Sequence, residues 1–268
     1  MKKLSIVLTD AGYRERFHFL DCLSEQTFDD FQVVWCDFYG KISDVVKNKS
    51  KVINDMILLS ATDRKDVNSD TLYNEAKAIN YAIKKSDAEI IMKIDADLFV
   101  KNDFLEKVID MHKDNDKLIT SGIDKREKGN IGDRPFEWGE IKKRSCITNL
   151  TNYGSCLTTR KEHLMACNGW DEDDIWNGVH FPSKDMGWRL INYGLSQRWY
   201  FDPPSLHPWH PSHHNFLWEI KDLSQSALHK FGGGIISPTH KQKLDKLIVD
   251  RVENGIYYVF QGIDKIED

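Results

Sequence analysis

Two aspartates, Asp95 and Asp97, close an apolar run in the stretch AEIIMKIDADLFVKNDF, from Ala88 to Phe104. Ile90, Ile91, Met92 and Ile94 read as a strand entering a core, with Lys93 as its one polar interruption. Two like charges at the edge of a low-dielectric region are unfavourable unless something positive, such as a metal ion, sits between them. Oxygen ligands on a rigid element suit Mg2+ or Mn2+, while Asp-x-Asp in a loop is also an ordinary solvated turn. A second stretch, HPWHPSHH, holds His207, His210, His213 and His214. Its readings are a proline-bounded surface loop, a zinc site, or one imidazole completing a mixed aspartate–histidine octahedral site. No cysteine lies nearby and the spacing is not that of a helical H-x-x-x-H pair, which weighs against zinc. A third constellation joins NGWDEDD (Asn168–Asp174) to KDMGWRL (Lys184–Leu190). It is either an acidic capping turn over core indoles at Trp170, Trp176 and Trp188, or a sugar-binding cleft. In a cleft the rings stack on C–H faces, the acids take hydroxyl protons, and one carboxylate acts as general base.

Such groups need elements to hold them. Leu4–Thr9 reads as a strand, Arg14–Ser24 as a helix, and Phe31–Cys36 as a strand ending at Asp37. A third strand centres on MILLS within Val52–Ser60. Tyr73–Lys85 reads as a helix with Ala76, Ile79, Ala82 and Ile83 on one stripe. Glu89–Ile94 is the strand before the aspartates, and Lys101–His112 is a further helix. This alternation predicts a mostly parallel open sheet over about the first hundred residues. Ligands bind such sheets beyond the carboxyl ends of the strands. Thr9, Asp10, Asp37, Asp95 and Asp97 all fall there, so they can converge on one site. Beyond it, Asp124–Arg144 is charged and contains glycine, which reads as a mobile loop or a hairpin, and Ile147–Thr159 is strand-like. The Trp- and His-rich stretches that follow hold no long apolar periodicity except Met186–Ile191. The chain from HKFGGG onward reads as a loop, a helix over His240–Asn254 and a short strand over Ile256–Phe260. There is no internal repeat.

The 268 residues are 40% hydrophobic, enough for one large α/β domain or two small ones. The formal net charge of −5 argues against a general nucleic-acid binder, although Lys125–Lys128 and Lys142–Arg144 are locally basic. Five cysteines with no C-x-x-C pair give neither a disulfide framework nor a structural zinc site, and reduced cytoplasmic thiols are the simplest reading. The apolar run near the N-terminus is too short for a signal segment, and no run approaches the ~18 residues of a membrane helix. A soluble, cytoplasmic protein is expected, with any membrane association peripheral.

Taken in order, LSIVLTDAGYRER, FQVVWCDFYG, NEAKAINYAIKKSDAEIIMKIDADLFV, CNGWDED, KDMGWRL and LHPWHP resemble the family 2 glycosyltransferases, over roughly residues 3–215. The resemblance implies a single α/β domain of the glycosyltransferase A type. Its central sheet would be mostly parallel, with helices on both faces and a Rossmann-like N-terminal half. Residues 1–100 would form the nucleotide-sugar half, 101–220 the acceptor-binding and catalytic half, and 221–268 a loop and helix extension. The implied activity is inverting, Mn2+- or Mg2+-dependent transfer from a nucleotide sugar, UDP-sugar favoured, to a glycan or glycolipid hydroxyl.

Carried over by position, Thr9, Asp10 and Arg14 would surround the nucleotide, and Asp37 would bind base or ribose. Lys77 and Asn80 would build the donor pocket. Asp95 would touch ribose or metal, and Asp97 would ligate the metal, with His207 or His210 completing its shell. Trp170, Asp171 and Glu172 would face sugar and acceptor. Two features depart from the family pattern. The second strand ends Cys36-Asp37-Phe38-Tyr39-Gly40 in place of paired aspartates and Gly-Ser, so Phe38 or Tyr39 would stack on the base. The family's catalytic acid lies about six residues before the Arg-Leu matching Arg189-Leu190, where this chain has Ser183. The base is then Asp185, or an acid of Asp171–Asp174. Rival classes are a metal-dependent nucleotidyltransferase, which would show a Gly-rich phosphate loop after the first strand, a nucleotide-sugar- or glycan-binding module without transfer, and a glycosyltransferase acting on modified DNA bases.

Overall fold

The apolar runs become the middle of a sheet. The computed structural model describes residues 1–12, 16–129, 136–178, 182–209 and 238–267, so Arg14 and His210 lie outside the described residues. Four strands run parallel side by side: β3 (Met56–Ser60), β2 (Phe31–Asp37), β1 (Lys2–Asp10) and β4 (Ala88–Ile94). The order continues through β8 (Cys156–Arg160), β6 (Leu118–Glu127), β9 (Ser196–His207) and β5 (Phe99–Val100), with β7 (Ser145–Ile147) paired to β6. β6 and β9 run with the first four strands, and β5, β7 and β8 run against them, so the sheet is mostly parallel.

The central strands read as continuous apolar runs because both of their faces are covered. Successive side chains alternate between faces. Leu4, Ile6, Leu8, Val33, Trp35, Ile90, Met92 and Ile94 pack with helices α1 (His18–Leu23) and α4 (Phe104–Asp110). Val7, Val34, Cys36 and Ile91 point the other way, against Ala76, Ile79, Ala82 and Ile83 of α3 (Glu75–Lys85). This is the stripe expected from the sequence. The remaining helices are α2 (Asp44–Lys49), α5 (Trp138–Arg144), α6 (Lys161–Ala166), α7 (Pro182–Asn192) and α8 (Pro238–Glu253). A third, smaller core joins Leu244 and Ile248 of α8 to Trp176. Among the described residues no helix is long and apolar enough to cross a membrane.

Two expectations are corrected, and one strand had no expectation before it. The stretch Asp124–Arg144, read as a mobile loop or a hairpin, is neither as a whole: its start belongs to β6, which pairs antiparallel with β7 just beyond its end, its last residues are α5, and residues 130–135 lie outside the described residues. The stretch from 196 to 207 is a twelve-residue strand, carrying a cis Asp202–Pro203 bond. Ile256–Phe260 is not a strand. Its carbonyls are taken by side chains: Ile256 O accepts from Asn192 Nδ2, Tyr257 O from Arg189 Nη1, and Val259 O from Asn168 Nδ2.

Candidate functional site

The strand register brings the first group of candidates to one edge. Asp10 lies opposite Asp37 across β1 and β2, and Asp37 opposite Ser60 across β2 and β3. On the other side of β1, Val7 lies opposite Lys93. Thr9, Asp10, Asp37, Asp95 and Asp97 are therefore gathered at the carboxyl ends of adjacent strands.

Asp37 is fully buried and sits in a turn that cradles one of its oxygens. Oδ1 accepts from the backbone N–H groups of Tyr39 (2.9 Å) and Lys41 (2.8 Å). Oδ2 is buried with no hydrogen-bond partner among the described residues. Burial pushes the carboxyl above its ordinary range, against the pull of these backbone hydrogen bonds. Phe38 is buried in the core, edge-on to Tyr39 and Tyr73, and Tyr39 is partly buried.

The positive group beside the Asp-x-Asp pair is built into the strand. Lys93 is buried; its ammonium donates to Asp95 Oδ1 at 3.0 Å and to the Gly154 carbonyl, and lies 3.4 Å from Glu75 Oε1. Glu75 opens α3 and also accepts from Thr9 Oγ1 at 3.2 Å. Asp97 faces another partner. Two residues after it, β5 pairs antiparallel with the end of β9, with Phe99 opposite Leu206. That pairing carries His207 to Asp97, with Nε2 3.4 Å from Oδ1, while His207 Nδ1 lies 3.9 Å from buried Asp124 Oδ2.

Among the described residues no three His, Cys, Asp or Glu side chains gather into a complete cation site. The donors present are a carboxylate and an imidazole. A hard divalent ion held by one or two protein groups takes its remaining oxygens from water and substrate phosphates. Asp97 and His207 fit an ion of that kind, bound together with a diphosphate.

The remaining candidates form a second group, centred on the loop after α6. Gly169 has φ +66°, and a Cβ there would come within 2.3 Å of Asn80 Oδ1, so only glycine serves. Asn80 holds the loop: its Oδ1 accepts from Trp170 N (2.8 Å), and its Nδ2 donates to Trp170 O (2.7 Å) and Glu172 Oε1 (2.9 Å). Trp170 lies in the core, its indole N–H donating to Ser183 Oγ. The indole therefore presents no face to a cleft. Asn80 likewise spends its side chain on the loop.

The carboxylates of this group are held by arginines, Arg189 from the same helix as Asp185 and Arg64 and Arg251 from remote segments. Glu172 receives Arg64 Nη1 on Oε1 at 2.8 Å and Arg64 Nη2 on Oε2 at 2.6 Å. Asp185 lies in the first turn of α7 and is buried; Oδ2 accepts from Arg189 Nε and Oδ1 from Arg251 Nη1, both at 2.7 Å. Arg251, on α8, also donates to Asp171 Oδ2 at 2.5 Å, and that oxygen takes the Trp176 indole N–H as well. Among the described residues, Asp171 Oδ1 accepts only the Asp173 backbone N–H, at 3.1 Å. Both carboxylates raise Arg251 above its ordinary value, against the effect of its burial. Lys77 reaches this group through Asp66, with Nζ 2.9 Å from Oδ2.

The first turn of α3 joins the two groups. Glu75 bonds Thr9, and Asn74 Nδ2 lies within bonding distance of Glu172 O, Asp173 O and Asn177 Oδ1. Sequence reasoning missed Arg64 and Arg251, which lie in none of the quoted stretches, and gave no role to Glu75, which lies in one; it noted Lys93 only as an interruption.

Residues 20–165 match the family model for glycosyl transferase family 2. No curated protein sequence matches the chain. Solved structures share its fold. One is S. aureus TarS 1-349 in complex with UDP, at 14% identity and a TM-score of 0.56, covering 93% of this chain and 71% of that one. Another is the mannosyltransferase PcManGT from Pyrobaculum calidifontis in complex with GDP-Man and Mn2+, at 15% identity and a TM-score of 0.56, covering 94% and 69%. A third is TarS 1-349 with UDP-GlcNAc, at 13% identity and a TM-score of 0.57, covering 94% and 72%. With the carboxylate-edged sheet and the family match in agreement, the chain belongs to glycosyl transferase family 2 and is a glycosyltransferase.

Proposed function

We propose that this enzyme moves a sugar from a UDP-sugar to a hydroxyl of a glycan or glycolipid acceptor, with inversion and with a divalent metal ion. The observation that carries the reading is the row of Asp10, Asp37, Asp95 and Asp97 at the carboxyl edge of β1, β2 and β4, with His207 against Asp97. That edge is where open α/β sheets bind ligands. The buried Asp37 Oδ2 is an acceptor with no donor among the described residues, and the imide N–H of uracil would be a donor of the right kind where the base reaches that oxygen. Asp97 and His207 would hold the metal; when bound, it supplies positive charge against the diphosphate leaving group. Asp95, fixed by Lys93, is kept for the ribose side. Lys77 lies at the donor side of α3, and its ammonium is available to a phosphate once it exchanges Asp66 for it.

On the acceptor side, a carboxylate of the second group takes the hydroxyl proton as oxygen attacks the anomeric carbon from the face opposite the diphosphate. Asp185 has both oxygens on guanidiniums and Glu172 has both on Arg64. Asp171 keeps one oxygen whose partner is a single backbone N–H. Proton acceptance therefore falls to Asp171, and to Asp185 only where Arg251 withdraws. A panel of nucleotide sugars scored for nucleoside diphosphate release, with Mn2+ and with EDTA, tests the reading. Release from UDP-sugars that EDTA abolishes is expected. Release that EDTA leaves unchanged removes the metal, and preference for a guanine nucleotide removes the UDP assignment.

A further inference from the structure

Arg64 belongs to none of the motifs. It follows the short turn Ala61–Asp63 after β3, and its side chain is 1% exposed. A guanidinium has five N–H donors, and here all five are used. Nε donates to Asp66 Oδ1 and Nη2 to Asp66 Oδ2, each at 2.8 Å. Nη2 also donates to Glu172 Oε2 and Nη1 to Glu172 Oε1, at 2.6 and 2.8 Å. The last N–H of Nη1 meets the Lys77 carbonyl at 2.8 Å. One buried fork thus grips Glu172 on one side, and on the other side Asp66 and the backbone of α3. Asp66 closes the chain by accepting from Lys77 Nζ. The two cations and two carboxylates are neutral as a set.

Stability alone does not account for such an arrangement. A buried ion pair is often matched or bettered by apolar side chains of the same volume, whereas a bidentate fork fixes orientation. Lysine keeps the charge but lacks the planar fork. We propose that Arg64 is a positioning residue for sugar transfer: it locks Glu172 of the acceptor-side loop to donor-side helix α3. The inference rests on the proposed function, in which Lys77 serves the donor and Glu172 the acceptor side.

The test uses the full chain carrying Arg64→Lys, Glu172→Gln, or both. UDP affinity is measured by titration in Mn2+, together with kcat and KM for the UDP-sugar that the unsubstituted protein turns over fastest, and the melting temperature. A misplaced group costs up to about 100-fold in rate. Arg64→Lys is expected to lower kcat by about 10- to 100-fold while UDP affinity changes by less than about threefold, because Lys77 and the strand-end carboxylates that serve the donor are unaltered. The double variant is expected to be no slower than the slower single one, since both act through Glu172. A lower melting temperature with unchanged kcat makes Arg64 purely structural and overturns the inference, as does full additivity of the two losses in kcat. An unsubstituted protein that neither binds UDP nor turns over any UDP-sugar overturns the proposed function itself, and the inference with it.

Discussion

Asp37 offers a substitution whose effects on stability and on binding run in opposite directions. Its side chain is fully buried, with Oδ1 on two backbone N–H groups and Oδ2 on none. Asp37→Asn keeps an oxygen for Tyr39 N and Lys41 N and removes the buried charge. An unsatisfied buried group costs about 1–3 kcal/mol, and more when charged, so the variant is expected to be about 1–2 kcal/mol more stable at pH 7. For a chain of this size that is a rise of about 2–8 °C in melting temperature. The pH dependence has a definite sign. Burial raises the folded carboxyl above its ordinary value of 3.8, so the native state binds more protons in the window above 3.8, and stability falls as pH rises through it. The advantage of the variant is therefore full above the folded pKa and fades as pH falls towards 3.8. Binding moves the other way. If Oδ2 accepts the uracil imide N–H, the amide presents a donor to a donor. Loss of a hydrogen bond to a charged group, about 1.5–3 kcal/mol, weakens UDP by roughly 10- to 150-fold. Calorimetric melting between pH 4 and 8 and a UDP titration measure both effects. A variant less stable at pH 7, or one binding UDP as well as the parent, refutes the argument.

Asp97→Ala is expected to abolish transfer with the fold intact, and to remove any rise in melting temperature that Mn2+ with UDP gives the unsubstituted protein; retained turnover counts against Asp97 as a metal ligand. Lys93→Met leaves the Asp95 and Glu75 carboxylates without their buried cation, a loss of about 3–5 kcal/mol, read by urea denaturation; a loss under about 1 kcal/mol contradicts the ion-pair assignment. Arg251→Ala leaves Asp171 without its guanidinium and Asp185 with Arg189 alone, at a cost of up to about 3–5 kcal/mol, and thermal melting checks it. Asp185→Asn would be nearly neutral if Asp185 were an N-cap, since both residues cap well. Held between Arg189 and Arg251, it is expected to lower the melting temperature clearly, and an unchanged value would restore the capping role.

The parts of the fold legible from sequence are those whose signal is local. β1, β2 and β4 announce themselves as apolar runs because both faces of each are buried, and α3 by its stripe of alanine and isoleucine. β9 was not legible. Pro203 and Pro204 break its ladder donors, which demotes a strand read alone, and its partners β6 and β5 lie far away in sequence. Ile256–Phe260 failed in the opposite sense: its β-branched and aromatic residues favour a strand, but a strand needs a backbone partner, and side chains of Asn192, Arg189 and Asn168 took its carbonyls. The strand-end carboxylates were visible because the end of an apolar run is visible. Arg64 and Arg251 were not, since sequence alone marks arginine as a surface residue, and only the assembled fold shows the carboxylates each one meets.

The same distinction answers the question posed by the paired aspartates. Two carboxylates one residue apart do not require one cation between them, because each has a positive or protonatable neighbour of its own. Asp95 has the Lys93 ammonium, delivered from within the same strand, and Asp97 has the His207 imidazole, delivered by the antiparallel pairing of β5 with β9. With Lys93 bonded to Asp95, Asp97 is, on the proposed function, the member of the pair that serves a divalent ion. One carboxylate and one imidazole make a poor cage for a bare ion, but they complement an ion that brings phosphate oxygens with it. On the proposed function, the internal lysine thus makes this edge a receptor for a metal–diphosphate complex, and it ties metal binding to the arrival of the donor.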